Sequence, residues 1–133
     1  MSAVIRQEEN RLFFGDHRLA EKTKEKDFSF EGGSFSVKTY NEITKLERNE
    51  QFVYESVPGT TVSDFEMTGE TVSFSVEGDD SAEITLGLLP ETEYKITVSD
   101  KDFGTMKTNL GGKLTVSVEL GDGKKVSVLA KKA

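Results

Sequence analysis

The chain has 133 residues, a formal net charge of −7 and no cysteine. Without cysteine, disulfides, thiolate zinc sites and cysteine nucleophiles are excluded. The acidic balance argues against nucleic-acid binding and against docking on anionic membranes, because both need a cationic surface. The length predicts one domain over residues 1–133, and a division into sub-modules 1–60 and 70–133 stays open.

No apolar run approaches the roughly 20 residues that a membrane-spanning helix needs. The first ten residues, MSAVIRQEEN, lack the apolar stretch of a secretory signal. We therefore expect a cytoplasmic protein if the chain is complete, and an extracellular one if it is a module excised from a longer chain.

Strand and turn signals dominate the first half. Residues 4–14 predict a hairpin. The charge-dense segment 16–27 is compatible with a short helix but favours a solvated loop, because almost nothing in it can be buried. A second predicted hairpin turns at Gly32-Gly33, since glycine adopts positive φ easily. Residues 41–49 fit either a helical turn or a strand. We favour a strand, because residues 51–57 can then pair with it.

Period-two alternation of apolar and polar residues is clearest in the second half. Strands are predicted at residues 62–67, 72–76, 82–88, 94–98, 103–108 and 114–120. Gly121-Asp122-Gly123 is predicted to close a final hairpin through residues 126–130. Turn signals thus recur about every 8–12 residues, as in sandwiches and barrels. The predicted fold is an all-β antiparallel sandwich with a Greek-key C-terminal half and an N-terminal hairpin layer.

A corner precedes the strand at residues 94–98. Its spacing, Leu88-x-Pro90-x-Thr92-x-Tyr94, resembles the tyrosine corner of fibronectin type III and related Ig-like modules. The resemblance covers about residues 70–130 and implies an Ig-like C-terminal half. It also implies a structural role for these four residues, with the tyrosine hydroxyl tied back to the backbone.

The sequence departs from that pattern in two ways. Glu91 stands where the corner usually has glycine, and the chain has no tryptophan for the usual core. Because β-sandwiches of this kind host unrelated activities, the resemblance implies a fold rather than a function.

The whole chain, especially residues 40–47 and 53–60, also resembles a family of small clostridial proteins labelled endosialidase-like. Known sialidases resemble propellers with repeated Ser-x-Asp-x-Gly-x-Thr-Trp boxes and an arginine cluster that grips the sialate carboxylate. This chain has no such box, no tryptophan and few arginines. The resemblance therefore implies a bacterial source and gives no support for sialidase chemistry.

Catalytic and metal signals are weak. His17 is the only histidine and follows Asp16. A general base oriented by a carboxylate has this appearance, and so does an exposed turn histidine, which we favour. Carboxylate pairs occur only in predicted turns or on the solvent-exposed faces of predicted strands, whereas a glycosidase needs a buried carboxyl. The acidic loops lack EF-hand spacing. We name no catalytic residue, metal site or cofactor.

The candidate interface or ligand residues are Phe52, Tyr54 and Tyr40. The stretch Phe52-Val53-Tyr54 is apolar on both faces. It is therefore either a central strand covered on both sides, which we favour slightly, or an edge that pairs with another subunit. Tyr40 and Tyr54 also offer rings on which a sugar can stack.

The function that we favour is a non-catalytic interaction or self-assembly module whose partner is a protein, self or other. The first alternative is a carbohydrate-binding accessory domain. The second is a carboxylate-dependent glycan hydrolase. Nucleic acid and membrane are not expected as partners.

Overall fold

The computed structural model describes residues 4–133, which form thirteen strands in two antiparallel sheets. The predicted all-β sandwich is confirmed. No helix in this range is long and apolar enough to cross a membrane. Residues 1–3, part of the segment inspected for a signal peptide, lie outside the described residues. The strands are β1 Ile5–Glu8, β2 Arg11–Phe14, β3 Thr23–Phe30, β4 Gly33–Tyr40, β5 Ile43–Arg48, β6 Gln51–Val57, β7 Thr61–Met67, β8 Thr71–Glu77, β9 Ala82–Gly87, β10 Glu93–Val98, β11 Lys101–Lys107, β12 Lys113–Val118 and β13 Val126–Lys132.

The two sheets each combine early and late strands. Sheet A has the order β1-β2-β7-β8-β13-β10-β11, and sheet B has the order β12-β9-β6-β5-β4-β3. The N-terminal hairpins thus form one flank of both sheets, with the Val4 backbone N–H donating to Glu25 of β3 at 3.3 Å. The opposite flank ends in β11 and β12.

Alternation places every second side chain between the sheets. On β8, Val72, Phe74 and Val76 are buried while the residues between them are half-buried. Tyr54 of sheet B meets Phe14 and Phe74 of sheet A edge-on, with ring centroids 5.2 and 5.5 Å apart. Edge-to-face packing is a favoured aromatic geometry, so these rings join the two sheets at the centre of the core.

Strand β6 is interior, because it pairs with β5 and β9. Leu46 lies opposite Tyr54 and Glu47 opposite Phe52, which makes Val53 an extra residue, a β-bulge. The bulge turns both Val53 and Tyr54 toward the core. The prediction of a central strand is confirmed, but the strand is covered on one side only. Its two-sided apolar pattern comes from the bulge and not from an edge.

The predicted final hairpin is wrong. Strand β12 pairs with β9 in sheet B, whereas β13 lies between β8 and β10 in sheet A. The glycine-rich segment 121–123 therefore begins a crossover between sheets. Such a segment shows that the chain turns, but it does not show whether the next strand pairs with the previous one.

The predicted loop over residues 16–27 is only partly correct, because β3 begins at Thr23. Strand β3 is the edge of sheet B, and Lys24 and Lys26 are exposed there. Charged side chains are common on edge strands because they prevent further pairing. The charge density that suggested a loop is a property of this edge.

Candidate functional site

His17 lies in the connection between β2 of sheet A and β3 of sheet B. Its Nδ1 is 2.7 Å from Thr61 Oγ1, and its Nε2 is 3.6 Å from Asp79 Oδ1. The imidazole side chain is only 11% exposed, so the prediction of an exposed turn histidine is wrong. Asp16 does not orient it, because the Asp16 carboxylate accepts hydrogen bonds from the backbone N–H and Nε of Arg18.

Hydroxyl, imidazole and carboxylate follow one another here as in a nucleophilic triad. However, the Thr61 hydroxyl also accepts the backbone N–H of His17 at 3.2 Å. The Asp79 side chain is 79% exposed, and its contact to the ring is longer than a hydrogen bond. The three residues tie the connection after β2 to the first residue of β7, and we assign them to the architecture.

Five buried hydroxyl side chains lie next to this connection, and we call them the crossover cluster. Thr60 Oγ1 lies 2.7 Å from both Tyr54 Oη and Ser56 Oγ. Thr44 Oγ1 lies 2.8 Å from Thr39 Oγ1 and donates to the Thr60 carbonyl. Burial raises the pKa of the Tyr54 phenol. Tyr54 is therefore part of the core and presents no ring to a ligand.

Tyr40 and Phe52 lie on the outer face of sheet B. Both are half-buried, and a lysine ammonium sits over each ring, Lys22 at 5.9 Å from the Tyr40 centroid and Lys113 at 4.6 Å from the Phe52 centroid. A hydrogen bond with Glu42 raises the pKa of the Tyr40 phenol. The two rings share a face but lie on non-adjacent strands, so they do not form one stacking platform.

Tyr94 is buried at the start of β10, and its hydroxyl accepts a hydrogen bond from the Leu89 N–H at 3.2 Å. The Thr108 hydroxyl donates to the Leu89 carbonyl, and the Thr92 hydroxyl donates to the Pro90 carbonyl at 2.8 Å. These bonds fix the corner between β9 and β10. Leu89 itself is 45% exposed.

Two carboxylates on the outer face of sheet A, those of Asp64 and Glu66, are paired with Arg11. Arg11 lies 2.7 Å from Glu66 and 3.5 Å from Asp64, and both carboxylates are more than 40% exposed. A glycosidase acid needs a carboxyl that is removed from water, which these are not. Among residues 4–133, no group of three or more His, Asp or Glu side chains is arranged to hold a metal.

An apolar depression lies between the edge strands β11 and β12, and we call it the lateral groove. It has a volume of about 660 Å³ and is lined by Val98, Phe103, Val118 and Val126 together with polar neighbours. Every residue of β11 except Met106 is exposed. Phe103 is 49% exposed. Strand β11 of sheet A therefore extends beyond the cover of sheet B.

Three lysines on the outer face of sheet B form what we call the lysine row. Lys24 of β3 lies directly opposite Lys38 of β4, which lies opposite Lys45 of β5. Sequence reasoning missed this row, because the lysines are far apart in the chain and only the strand register aligns them. It also missed the lateral groove, whose one sequence signal is Phe103 in a strand of otherwise poor alternation.

No protein-family model, curated protein or solved structure matches this chain.

Proposed function

We propose that this protein is a non-catalytic interaction module that self-associates by pairing β12 with the β12 of a second copy. The observation that carries the proposal is the regular edge of β12 beside the lateral groove, with which no further strand of residues 4–133 pairs. A strand added at this edge would extend sheet B and cover the exposed inner side of β11.

The four sheet edges differ in how they resist pairing. Strand β1 has four residues, β3 has a register shift and a positive φ at Asp27, and β11 has a register shift with β10 and a positive φ at Gly104. Bulges, short length and twists of this kind protect edges from unwanted partners. Strand β12 pairs with β9 without interruption over all six residues. It is the edge best suited to accept a further strand.

The backbone direction of β12 follows from its neighbours. The Gly112 carbonyl accepts the Leu88 N–H, which continues the ladder with β9, whereas the Lys113 N–H and carbonyl bond Asn109 on the other side. Because direction alternates along an antiparallel strand, Thr115 and Ser117 point their N–H and carbonyl groups away from β9. These groups are available to a partner strand.

The side chains of β12 fit an antiparallel pair with a two-fold axis at Val116. In this register Leu114 lies opposite Val118 of the second copy and Thr115 opposite Ser117. The backbone of Lys113 is already bonded to Asn109, so only the Lys113 side chain approaches Glu119 of the second copy, at each end of the strand pair. Opposite charges on neighbouring strands attract each other across a strand pair. The axis repeats each contact, as an isologous dimer requires. The apolar pairs face the lateral groove, where Phe103 would be buried.

The Leu88–Tyr94 corner enters this proposal as scaffold. In the manner of fibronectin type III corners, its role would be to hold β10, and through β10 the edge strand β11, beside the groove. The hydrogen bond between Leu89 N–H and Tyr94 Oη supports that role.

Sedimentation equilibrium over a concentration series, with single and double variants in β12 and at the following Glu119, tests the dimer. T115P removes an outward N–H at an edge position that tolerates proline, so the variant should fold and stay monomeric. K113E and E119K should each weaken the dimer, because each places like charges in opposition. The double variant K113E/E119K should restore it, and K95E on sheet A should have no effect.

A wild-type chain that is monomeric at every concentration would overturn the proposal. So would a dimer that survives T115P, or a double variant no better than the single variants. Circular dichroism of each variant separates loss of pairing from loss of fold.

A further inference from the structure

The lysine row places like charges against each other at two consecutive cross-strand positions. Lys24 faces Lys38 and Lys38 faces Lys45 in the register of sheet B. Neighbouring strands are only about 4.8 Å apart, and like charges directly opposite destabilise a sheet. A row of this kind lowers the stability of the sheet, and an anion bound across it would relieve the repulsion.

Few carboxylates of the protein do so. Lys26 adds a fourth ammonium beside the row, and Glu47 contacts Lys45 at 3.7 Å. Within residues 4–133, none of the ion pairs includes Lys24, Lys26 or Lys38. Since these four lysines contribute +4 to a net charge of −7, the rest of the chain carries −11. The patch is thus a local cationic site on a strongly acidic protein.

The row borders a shallow depression of about 250 Å³ that includes Ser36 and Glu47. Tyr40 lies two residues beyond Lys38 on the same strand and the same outer face. Residues two apart in a strand lie about 7 Å from each other. The surface therefore combines ammonium groups, the Ser36 hydroxyl and the Tyr40 ring with two carboxylates, that of Glu47 and that of Glu42, which bonds the Tyr40 phenol.

We propose that this surface binds an acidic polysaccharide, a sugar chain bearing carboxylate or sulfate groups. The ammoniums of the lysine row pair with the anionic substituents, and Tyr40 contacts a sugar ring once Lys22 moves off it. Two observations favour a sugar chain over other polyanions. The patch is narrow, whereas duplex nucleic acid and anionic bilayers carry dense charge over areas that the remaining −11 would repel. A charged sugar ring uses the lysine row and the Tyr40 ring together, whereas an acidic side chain uses the ammonium groups alone.

The inference is independent of the proposed dimer. The lysine row lies on β3, β4 and β5, at the opposite end of sheet B from β12. The monomeric variant T115P should therefore still bind the same sugar chain, and it should lose at most the avidity that two linked sites gain on one polymer.

Calorimetry with polygalacturonate, and with fully methyl-esterified polygalacturonate as the uncharged match, tests the proposal. The triple variant K24Q/K38Q/K45Q should lose about tenfold or more in affinity for polygalacturonate. The control K95Q/K131Q/K132Q lowers the net charge by the same three units on sheet A, where Lys95 lies opposite Lys131. It should stay within about twofold, because screening limits the effect of distant charges.

Poly-L-glutamate, which carries carboxylates but no sugar rings, and the variant Y40L together separate the contribution of the sugar ring to the affinity from that of the charge. Y40L should weaken binding of polygalacturonate and leave the weaker binding of poly-L-glutamate unchanged. The lysine triple variant should melt at the same or a higher temperature than wild type, because its cross-strand repulsion is gone. That result excludes unfolding as the cause of lost binding.

Three results would overturn the proposal. The first is no binding of polygalacturonate, or equal binding of its uncharged ester. The second is equal weakening by both triple variants, which would mean that the net charge of the protein alone determines the affinity. The third is poly-L-glutamate bound as tightly as polygalacturonate with no effect of Y40L, which would make this an acidic-peptide surface.

Discussion

The crossover cluster buries polar groups, whereas the lateral groove leaves apolar groups exposed. In the crossover cluster, polar hydroxyls lie fully inside the sandwich, and each has a partner within 2.8 Å. In the lateral groove, Phe103 is about half exposed beside valines of the core, and no strand of residues 4–133 pairs with the outer edge of β12. The hydroxyls of the crossover cluster find all their partners within a single chain. The backbone of β12 and the ring of Phe103 would find theirs only in a second copy, and for that reason we place the interaction at the lateral groove.

The contrast is clearest where a variant removes a hydroxyl partner. T60V keeps the shape of Thr60 but leaves the hydroxyls of Tyr54 and Ser56 without their partner. A buried unsatisfied polar group costs about 1–3 kcal/mol, so we expect urea denaturation to show a loss of about 2–4 kcal/mol. T85V removes one of an exposed pair of hydroxyls on the outer face of sheet B and should change stability by less than about 0.5 kcal/mol. Equal losses would mean that the cluster is not the specific polar core described above.

Alkaline pH probes the same cluster through Tyr54. Burial raises its pKa in the folded protein above the ordinary value of 10.0, so above pH 10 the unfolded chain releases a proton that the native state retains. The contribution of this group is present below pH 10 and is lost as the pH rises. The free energy of unfolding should fall there by up to about 1.4 kcal/mol per pH unit.

Urea titrations at several pH values, on wild type and Y54F, check this slope. Y54F should be less stable at neutral pH, because Thr60 loses a partner, but its stability should fall less steeply above pH 10. Parallel slopes for the two proteins would contradict the assignment. The comparison also removes the contributions of the other tyrosines and of the lysines, which both proteins share.

The difference between the two regions also explains how far the sequence could predict them. Alternation on β8 and β12 indicated which side chains face the core, since that depends on neighbouring residues only. The burial of Tyr54 depended on a bulge at Val53, which no local pattern revealed. The lateral groove depends on which strands lie at the edges, and the predicted β12–β13 hairpin hid that edge. The lysine row likewise required the register of three strands.

Substitution of Phe103 should have a smaller effect on stability, and its size should depend on the protein concentration. F103A removes a side chain that is 49% exposed, so the monomer should lose at most about 1 kcal/mol, against about 3–5 kcal/mol for a fully buried phenylalanine such as Phe74 in F74A. If β12 pairing covers Phe103, the same variant should weaken the dimer by about tenfold. Denaturation at low and high protein concentration separates the two effects. A loss for F103A as large as that for F74A at every concentration would mean that the groove is closed within one chain.

The finest difference should appear in hydrogen exchange along β12 and requires no substitution. In the dilute monomer, the amides of Leu114 and Val116 face β9 and should exchange slowly, whereas those of Thr115 and Ser117 face solvent and should exchange as fast as loop amides. Raising the protein concentration should protect Thr115 and Ser117 while leaving their neighbours unchanged, and T115P should abolish the protection at Ser117. Uniform protection along β12 in the monomer would mean that its outer edge is already paired within the chain, and the contrast between a closed cluster and an open flank would then be lost.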